Sequence, residues 1–392
     1  MESGCRATLS PSTSRARSAA YRRTTVRRQS GFPSDTCFEP LSLKVLYAFL
    51  IFVPVAILAR LLGAPPIAVF ILSALAIVPL SGVLGAATEA VAEHTSPAIG
   101  GVLSATMGNL AELIIAAVAL RAGLIDLVKA SITGSILGNL LLVLGIALFA
   151  GGLKFKVQKF NRNLAGHSTT VLLIAVFGLV VPALFHGLHP DPQRVATVRM
   201  SHYVAFLLIA GYVAWLVFSL WTHSSSFGPE KSSPAVTVAP KWSSKKAMAV
   251  LVFSAIAIGV MAEVLVSATE QAVKVLGLSE FFVGLILIPI IGNAAENSSA
   301  IIMAMRNRMD LALNIAIGSS IQVALLIAPL LVFLGMAFHQ PMDLAFTTME
   351  VASIALAVGV ASSVIRDAES NWLEGAFLLL AYAVLGVAFF FF

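Results

Sequence analysis

The sequence predicts an all-α multi-pass membrane protein: eleven transmembrane helices, arranged as one extra helix plus two inverted five-helix repeats. Three observations predict it. Only 11% of the 392 residues are charged and 58% are hydrophobic, with a mean hydropathy of +0.94; soluble globular chains carry about 25% charged residues. Eleven apolar stretches have the length of a membrane span, which needs roughly 20 residues. A set of polar residues also recurs at one constant offset of 184 positions.

Residues 1–40 come first. They hold Arg6, Arg15, Arg17, Arg22, Arg23, Arg27 and Arg28 against Glu2, Asp35 and Glu39, among many Ser and Thr. The apolar core of a secretory signal is missing, and the composition reads as a disordered basic tail. An organellar transit peptide, also Arg- and Ser-rich, is the alternative. The tail supplies +4 of the net +6, so the basic balance concerns topology and not nucleic acid. Both cysteines, Cys5 and Cys37, fall here, which leaves no disulfide framework or CxxC pair to the membrane part.

Residues 43–62 read as the extra helix. The first five-helix repeat covers 66–222, with spans near 66–88, 97–120, 124–150, 165–187 and 200–222 and a Gly-rich link between its first two. A Ser-, Pro- and Lys-rich cytoplasmic linker follows at 223–246. The second repeat covers 247–392, with spans near 247–274, 280–305, 309–337, 343–365 and 372–392. Short links rich in Lys and Arg stay cytoplasmic. Lys154, Lys156, Lys159 and Arg162 follow the fourth span; Lys231, Lys241, Lys245 and Lys246 the sixth; Arg306 and Arg308 the eighth. All follow even-numbered spans, which puts the N-terminus inside and the C-terminus outside. Arg194 and Arg199, after the fifth span, count against it.

The offset pairs "GNLAE" at 108–112 with "GNAAE" at 292–296, Asp126 with Asp310, Leu127 with Leu311, Gly134 with Gly318 and Ser135 with Ser319. Apolar coincidences are cheap in such a chain, but Asn, Glu, Asp and Ser in register are not. Two five-span units in tandem enter the membrane from opposite sides. Inverted repeats of this kind put a substrate site near the midplane of alternating-access carriers.

Asn109 and Glu112 are three residues apart, as are Asn293 and Glu296, so each pair shares a helix face. A carboxylate in hydrocarbon must face a bundle interior, a water-filled cavity or a cation. Together the motifs offer two carboxylates and two amides, an all-oxygen set suited to a hard cation such as Ca²⁺. Soft metals would want His or Cys. The histidines, His94, His167, His186, His189, His202, His223 and His339, are scattered and read as loop or interface residues. Gly108 and Gly292 either allow close packing or let the helix break and free its carbonyls. Ser135, Asn139, Ser319 and Gln322 extend the candidate set; the serines could equally bond between helices. Glu263, Glu270 and Glu350 are secondary candidates, and Glu89 and Glu374 sit near an interface. A carboxyl group in a low-dielectric site can hold a proton when no cation is present. Glu112 and Glu296 would then take a cation or protons competitively, which is the physical core of cation/proton antiport.

"GNLAELIIA" (108–116) and "GNAAE" (292–296) resemble the two core motifs of the Ca²⁺/H⁺ antiporter family, the cation/proton exchanger branch of the cation/Ca²⁺ exchanger superfamily. "LSEFFVGLILIPIIGNAAE" (278–296), "GSSIQVALLIAPLLVFLG" (318–335), "MDLAFTTMEV" (342–351), "ESNWLEGAFLL" (369–379) and the basic link "KFKVQKFNRN" (154–163) are similar too. The resemblance covers about residues 43–392. It implies the one-plus-five-plus-five fold and Ca²⁺ transport driven by a proton gradient. It implies Glu112 and Glu296 as the central acids, with Asn109, Asn293, Ser135, Ser319 and Gln322 around them. The family commonly has His after the second motif's Glu; here it is Asn297, which puts in doubt any proton-handling step assigned to a histidine. Residues 223–246 hold only Glu230 and lack the acidic run of many eukaryotic members, which points to a prokaryotic inner membrane, with a vacuolar or other organellar membrane as the alternative.

Oxygen donors alone do not choose between Ca²⁺ and Na⁺, so a Na⁺/H⁺ or Na⁺/Ca²⁺ exchanger is the runner-up. The sodium-coupled "GTS"-type motif is absent. A cation channel would gather its filter from several subunits, whereas this chain carries its own two-fold repeat. No HExxH, Ser–Lys or paired-Asp arrangement suggests an enzyme. No cofactor is expected. The expected partners are Ca²⁺ and H⁺ as substrates and the lipid bilayer, with a homo-oligomer left open and no nucleic acid.

Overall fold

Helix formation here follows from burial of the backbone: in hydrocarbon every N–H and C=O must find a partner within its own segment. The computed structural model describes residues 47–189, 193–223 and 242–391. The tail at 1–40 and residues 224–241 of the linker at 223–246 lie outside the described residues. The helices are α1 (Phe52–Leu61), α2 (Pro66–Glu93), α3 (Pro97–Met107), α4 (Leu110–Arg121) and α5 (Ile125–Phe155). Then come α6 (Arg162–Leu188), α7 (Val195–Thr222), α8 (Ser244–Leu276), α9 (Glu280–Gly292) and α10 (Ala294–Met305). Last are α11 (Met309–Ala337), α12 (Thr348–Val364) and α13 (Trp372–Phe390).

Among the described residues, α2, α5, α6, α7, α8, α11 and α13 are the 7 helices long and apolar enough to cross a membrane. The count reaches 9 if the bent pairs α3/α4 and α9/α10 are each one span. Residues 47–61 and helix α12 are apolar but shorter. The tenth apolar stretch, expected from residue 343, becomes helical only at Thr348. The reason is local: Thr347 and Glu350 form a reciprocal capping box that starts the helix, and the residues before it are tied to other helices.

One element departs from an all-helical plan. β1 (Val157–Lys159) pairs antiparallel with β2 (Glu369–Asn371), in the register Val157↔Asn371 to Lys159↔Glu369. The basic link is therefore docked. Gln158 Nε2 donates to the Ala304 carbonyl (2.8 Å) and to Asn307 Oδ1 (3.1 Å), and Lys154 Nζ donates to the Met305 carbonyl (3.0 Å). Lys154 thus supplies a donor to a carbonyl in the last turn of α10, and Gln158 adds a second donor to the Ala304 carbonyl, which already accepts the Asn307 N–H at 3.0 Å.

Helices α5 and α11 form the centre: 72% of the most apolar window of each is buried, against 28% for α6 and α7 and 17% for α13. Small residues set the closest approaches. A β-carbon on Gly134 of α5 would land on the Leu285 carbonyl of α9, and one on Gly375 of α13 on the backbone of Phe149 in α5. Both central helices carry a wide π turn, Gly138–Val143 in α5 and Val323–Ile327 in α11. Such turns shift helix register by one residue and concentrate at functional sites.

Candidate functional site

Both motifs lie where a helix breaks. The axis bends by 44° between α3 and α4 and by 64° between α9 and α10. The residues at the bends are the asparagines: Asn109 has φ −92°, ψ 20° and Asn293 φ −101°, ψ 8°, in the sparsely used bridge region. Gly108 keeps right-handed helical angles, φ −53°, ψ −48°. Its missing side chain provides space and not backbone freedom. A β-carbon on Gly108 would stand 2.6 Å from Glu296 Oε1, and one on Gly292 3.2 Å from Glu112 Cγ. Each motif's glutamate thus packs on the other motif's glycine.

The donors around the two acids differ. Glu112 Oε1 accepts from both the Ser135 hydroxyl and the Asn293 amide. Glu112 Oε2 is buried and has no hydrogen-bond partner. In the other half Asn109 Nδ2 donates to Gln322 Oε1 (2.7 Å), Ser319 Oγ donates to Asn109 Oδ1 (2.8 Å), and Asn139 Nδ2 donates to Ser319 Oγ (3.0 Å). Asn109, Asn139, Ser135, Asn293 and Ser319 are all buried. The structure therefore brings Gly108, Asn109, Glu112, Ser135, Asn139, Gly292, Asn293, Glu296, Ser319 and Gln322 into one neighbourhood. Two small pockets open beside them. The first is lined by Glu112, Ser131, Ser135 and apolar residues including Ile115 and Val323. The second is lined by Ser135, Asn139, Asn293 and Asn297 among others.

The chemistry this permits is narrow. Among the described residues no three His, Cys, Asp or Glu side chains converge on a metal-sized space. A cation held here would take two carboxylates and complete its shell with amide, hydroxyl and backbone oxygens, as a hard cation does.

The secondary acids lie elsewhere. Glu263 pairs with Arg121 at 3.9 Å and Glu270 with Lys274 at 2.7 Å, all on exposed surface. Glu374 caps α13 together with Asn371. Glu350 is buried but serves the cap of α12 and accepts from Thr133 Oγ1 at 3.0 Å. Three residues beside the site, Ser131 and the buried pair Lys129 and Asp343, whose Nζ and Oδ1 are 2.5 Å apart, carry no repeat or spacing that marks them in the sequence. The signal was available: a lysine inside an apolar stretch requires a buried anion.

The chain is similar to known proteins over most of its length. The model of the sodium/calcium exchanger protein family matches residues 65–221 and 246–391. A Ca²⁺/H⁺ antiporter of Aphanothece halophytica is 40% identical over 359 residues, covering 88% of this chain and 96% of that protein. The vacuolar calcium ion transporter of Schizosaccharomyces pombe is 36% identical over 350 residues, covering 88% and 84%. The solved structure of native YfkE superimposes with a TM-score of 0.77 at 36% identity, covering 89% of this chain and all of that one.

Proposed function

This chain belongs to the sodium/calcium exchanger family, among its Ca²⁺/H⁺ antiporters, and from that premise we propose that it exchanges Ca²⁺ for H⁺ by alternating access, with Glu112 and Glu296 as the groups that bind one or the other. The observation that carries the assignment of residues is the reciprocal packing of Glu296 on Gly108 and Glu112 on Gly292. It puts two partly buried glutamates between two helix breaks, one with a buried carboxyl oxygen left without a partner. An ionised pair in a low-dielectric site needs a counter-charge, which a divalent cation or two protons can supply, but not both together. Asn109, Asn293, Ser135, Ser319, Asn139 and Gln322 orient the carboxyls and add neutral oxygens. Exchange then requires no further coupling device: each ion leaves a site that only the other can refill.

The architecture that fits is eleven spans. Residues 43–62 form the extra one, and 66–222 and 247–392 form two five-span repeats of opposite orientation joined by a cytoplasmic linker. Support comes from the two-part family match, from the helix breaks 184 residues apart and from the paired π turns. The membrane is the inner membrane of a prokaryotic cell, with a vacuolar membrane as the alternative.

The test is tracer Ca²⁺ uptake into proteoliposomes with an imposed proton gradient. Accumulation against the Ca²⁺ gradient is expected, abolished by Glu112→Gln or Glu296→Gln. Downhill flux alone would indicate a channel. Accumulation driven by a Na⁺ gradient in place of protons would indicate the sodium-coupled alternative.

A further inference from the structure

Lys129 lies one turn into α5 and is only 5% exposed. Its Nζ donates to Asp343 Oδ1 at 2.5 Å and to the Ala345 carbonyl at 3.0 Å. Asp343, 3% exposed, receives Arg194 Nη1 on its other oxygen at 3.0 Å and the Ala345 N–H on Oδ1 at 3.0 Å. The next residue is fixed as well, since the Leu344 N–H donates to Ser201 Oγ of α7 at 2.9 Å. Four residues after Lys129, Thr133 donates to Glu350. Residues 343–350 are thus tied to α5 and α7 by one buried cation, one half-exposed cation, two buried acidic side chains and two buried hydroxyls. These ties join segments far apart in the chain, since Lys129 and Asp343 are 214 positions apart.

The buried pair at its centre, Lys129 with Asp343, cannot lose one member cheaply, because the remaining charge is left without water and without its main partner. The segment is therefore either docked with every pair made, or withdrawn with the charges rehydrated. Packed elements with two such arrangements serve as switches. What makes the cluster relevant to the site is α5 itself. Ser131 and Ser135, four residues apart, line the pocket beside Glu112, while Lys129 and Thr133 hold the clamp. Any tilt of α5 that changed access to Glu112 would pull on Lys129.

We propose that Lys129, Asp343 and Arg194 form a clamp that keeps the Glu112 pocket closed on the side where residues 338–347 lie, and that it must separate for the pocket to open there. These are positioning residues. The proposal builds on the exchange reading only in what the pocket contains, and its test does not require transport.

The full chain, with Cys5→Ser, Cys37→Ser and a reporter Ser131→Cys, is placed in oriented membrane vesicles and treated with a membrane-impermeant maleimide from each face in turn. Asp343→Asn is expected to raise the labelling rate at least tenfold from one face and not from the other. Arg194→Met, which removes only the half-exposed arm of the clamp, should give a smaller rise from the same face, about threefold. The exchanged pair Lys129→Asp with Asp343→Lys should return labelling toward the parent rate. Should Asp343→Asn fail to fold, Arg194→Met decides alone. Parent-rate labelling in a folded variant, or an equal rise from both faces, overturns the clamp. Failure of proton-driven Ca²⁺ uptake with these labelling results intact would instead remove the exchange reading and leave the clamp standing.

Discussion

The carboxyl end of Glu296 lies over the bare backbone of Gly108, with Oε1 2.6 Å from where a β-carbon would stand. Gly292 gives the same opening to the stem of Glu112, at 3.2 Å. The relation is reciprocal but unequal. At Gly108 the neighbour is the free end of a flexible chain. At Gly292 it is a carbon whose carboxyl is pinned by Ser135 and Asn293.

Gly108→Ala should separate stability from transport. The added methyl would displace the Glu296 carboxyl and press more mildly on the Ser104 carbonyl, 3.3 Å away. The melting temperature should stay near that of the parent while proton-driven Ca²⁺ uptake falls at least tenfold. A lower melting temperature with uptake retained would contradict the geometry.

Ser135→Ala should cost more than Ser319→Ala. Ser135 donates to a carboxylate oxygen, a bond worth about 1.5–3 kcal/mol, whereas Ser319 donates to a neutral amide, worth about 0.5–1.5 kcal/mol. The KM for Ca²⁺ should rise about tenfold or more in the first and a few-fold in the second. Ser135→Thr, which keeps the hydroxyl, should stay near the parent. Uptake titrations on the three variants check this.

Gly134→Ala and Gly318→Ala occupy equivalent places in the sequence repeat but not in the structure. The first would drive a methyl onto the Leu285 carbonyl, while the second meets nothing within 4 Å. Overpacking against backbone costs about 1–3 kcal/mol or more. Thermal unfolding in detergent should show a clear loss for Gly134→Ala and none for Gly318→Ala.

Asp343 links stability to acid pH. Burial alone would raise its pKa, but the Lys129 and Arg194 charges outweigh burial and hold the carboxyl below its ordinary value. A group depressed on folding stabilises fully above its unfolded pKa, about 3.9, and loses that contribution as pH falls through the lower folded value. The contribution of Asp343 should be flat from pH 8 to 5 and fall away below about pH 4. Asp343→Asn should have a lower melting temperature at neutral pH and a shallower acid limb than the parent.

Asn297→His would place an imidazole in the pocket lined by Ser135, Asn139 and Asn293. Histidine titrates near pH 6.5 when unperturbed. The charged ring would repel a cation, so uptake should gain a new decline of several-fold between pH 7.5 and 5.5. An unchanged pH profile would remove Asn297 from the ion path.

Much of this was legible in the chain because hydrocarbon leaves few options. The apolar stretches had to be helices, and Glu112 and Glu296, each three residues after an asparagine, had to face away from lipid. The match at 184 positions set the two motifs side by side as a pair. The tenth stretch was misjudged at its start, because composition sees Met342–Phe346 as apolar and not as a segment held by Asp343. Lys129 went unnoticed because it has no counterpart in the repeat.

The sequence by itself therefore determined the solvent, the helical class and the polar residues that would need one another, since transfer cost depends on residue type alone. Only the tertiary structure decided which atoms meet. It put each glutamate on the other motif's glycine and gave Glu112 two donors. It sent the Asn109 amide to Gln322 and joined Lys129 to an aspartate 214 positions away. Those choices follow from close packing across helices, where a single missing β-carbon or a one-residue π turn redirects a side chain. A one-dimensional pattern does not encode that register.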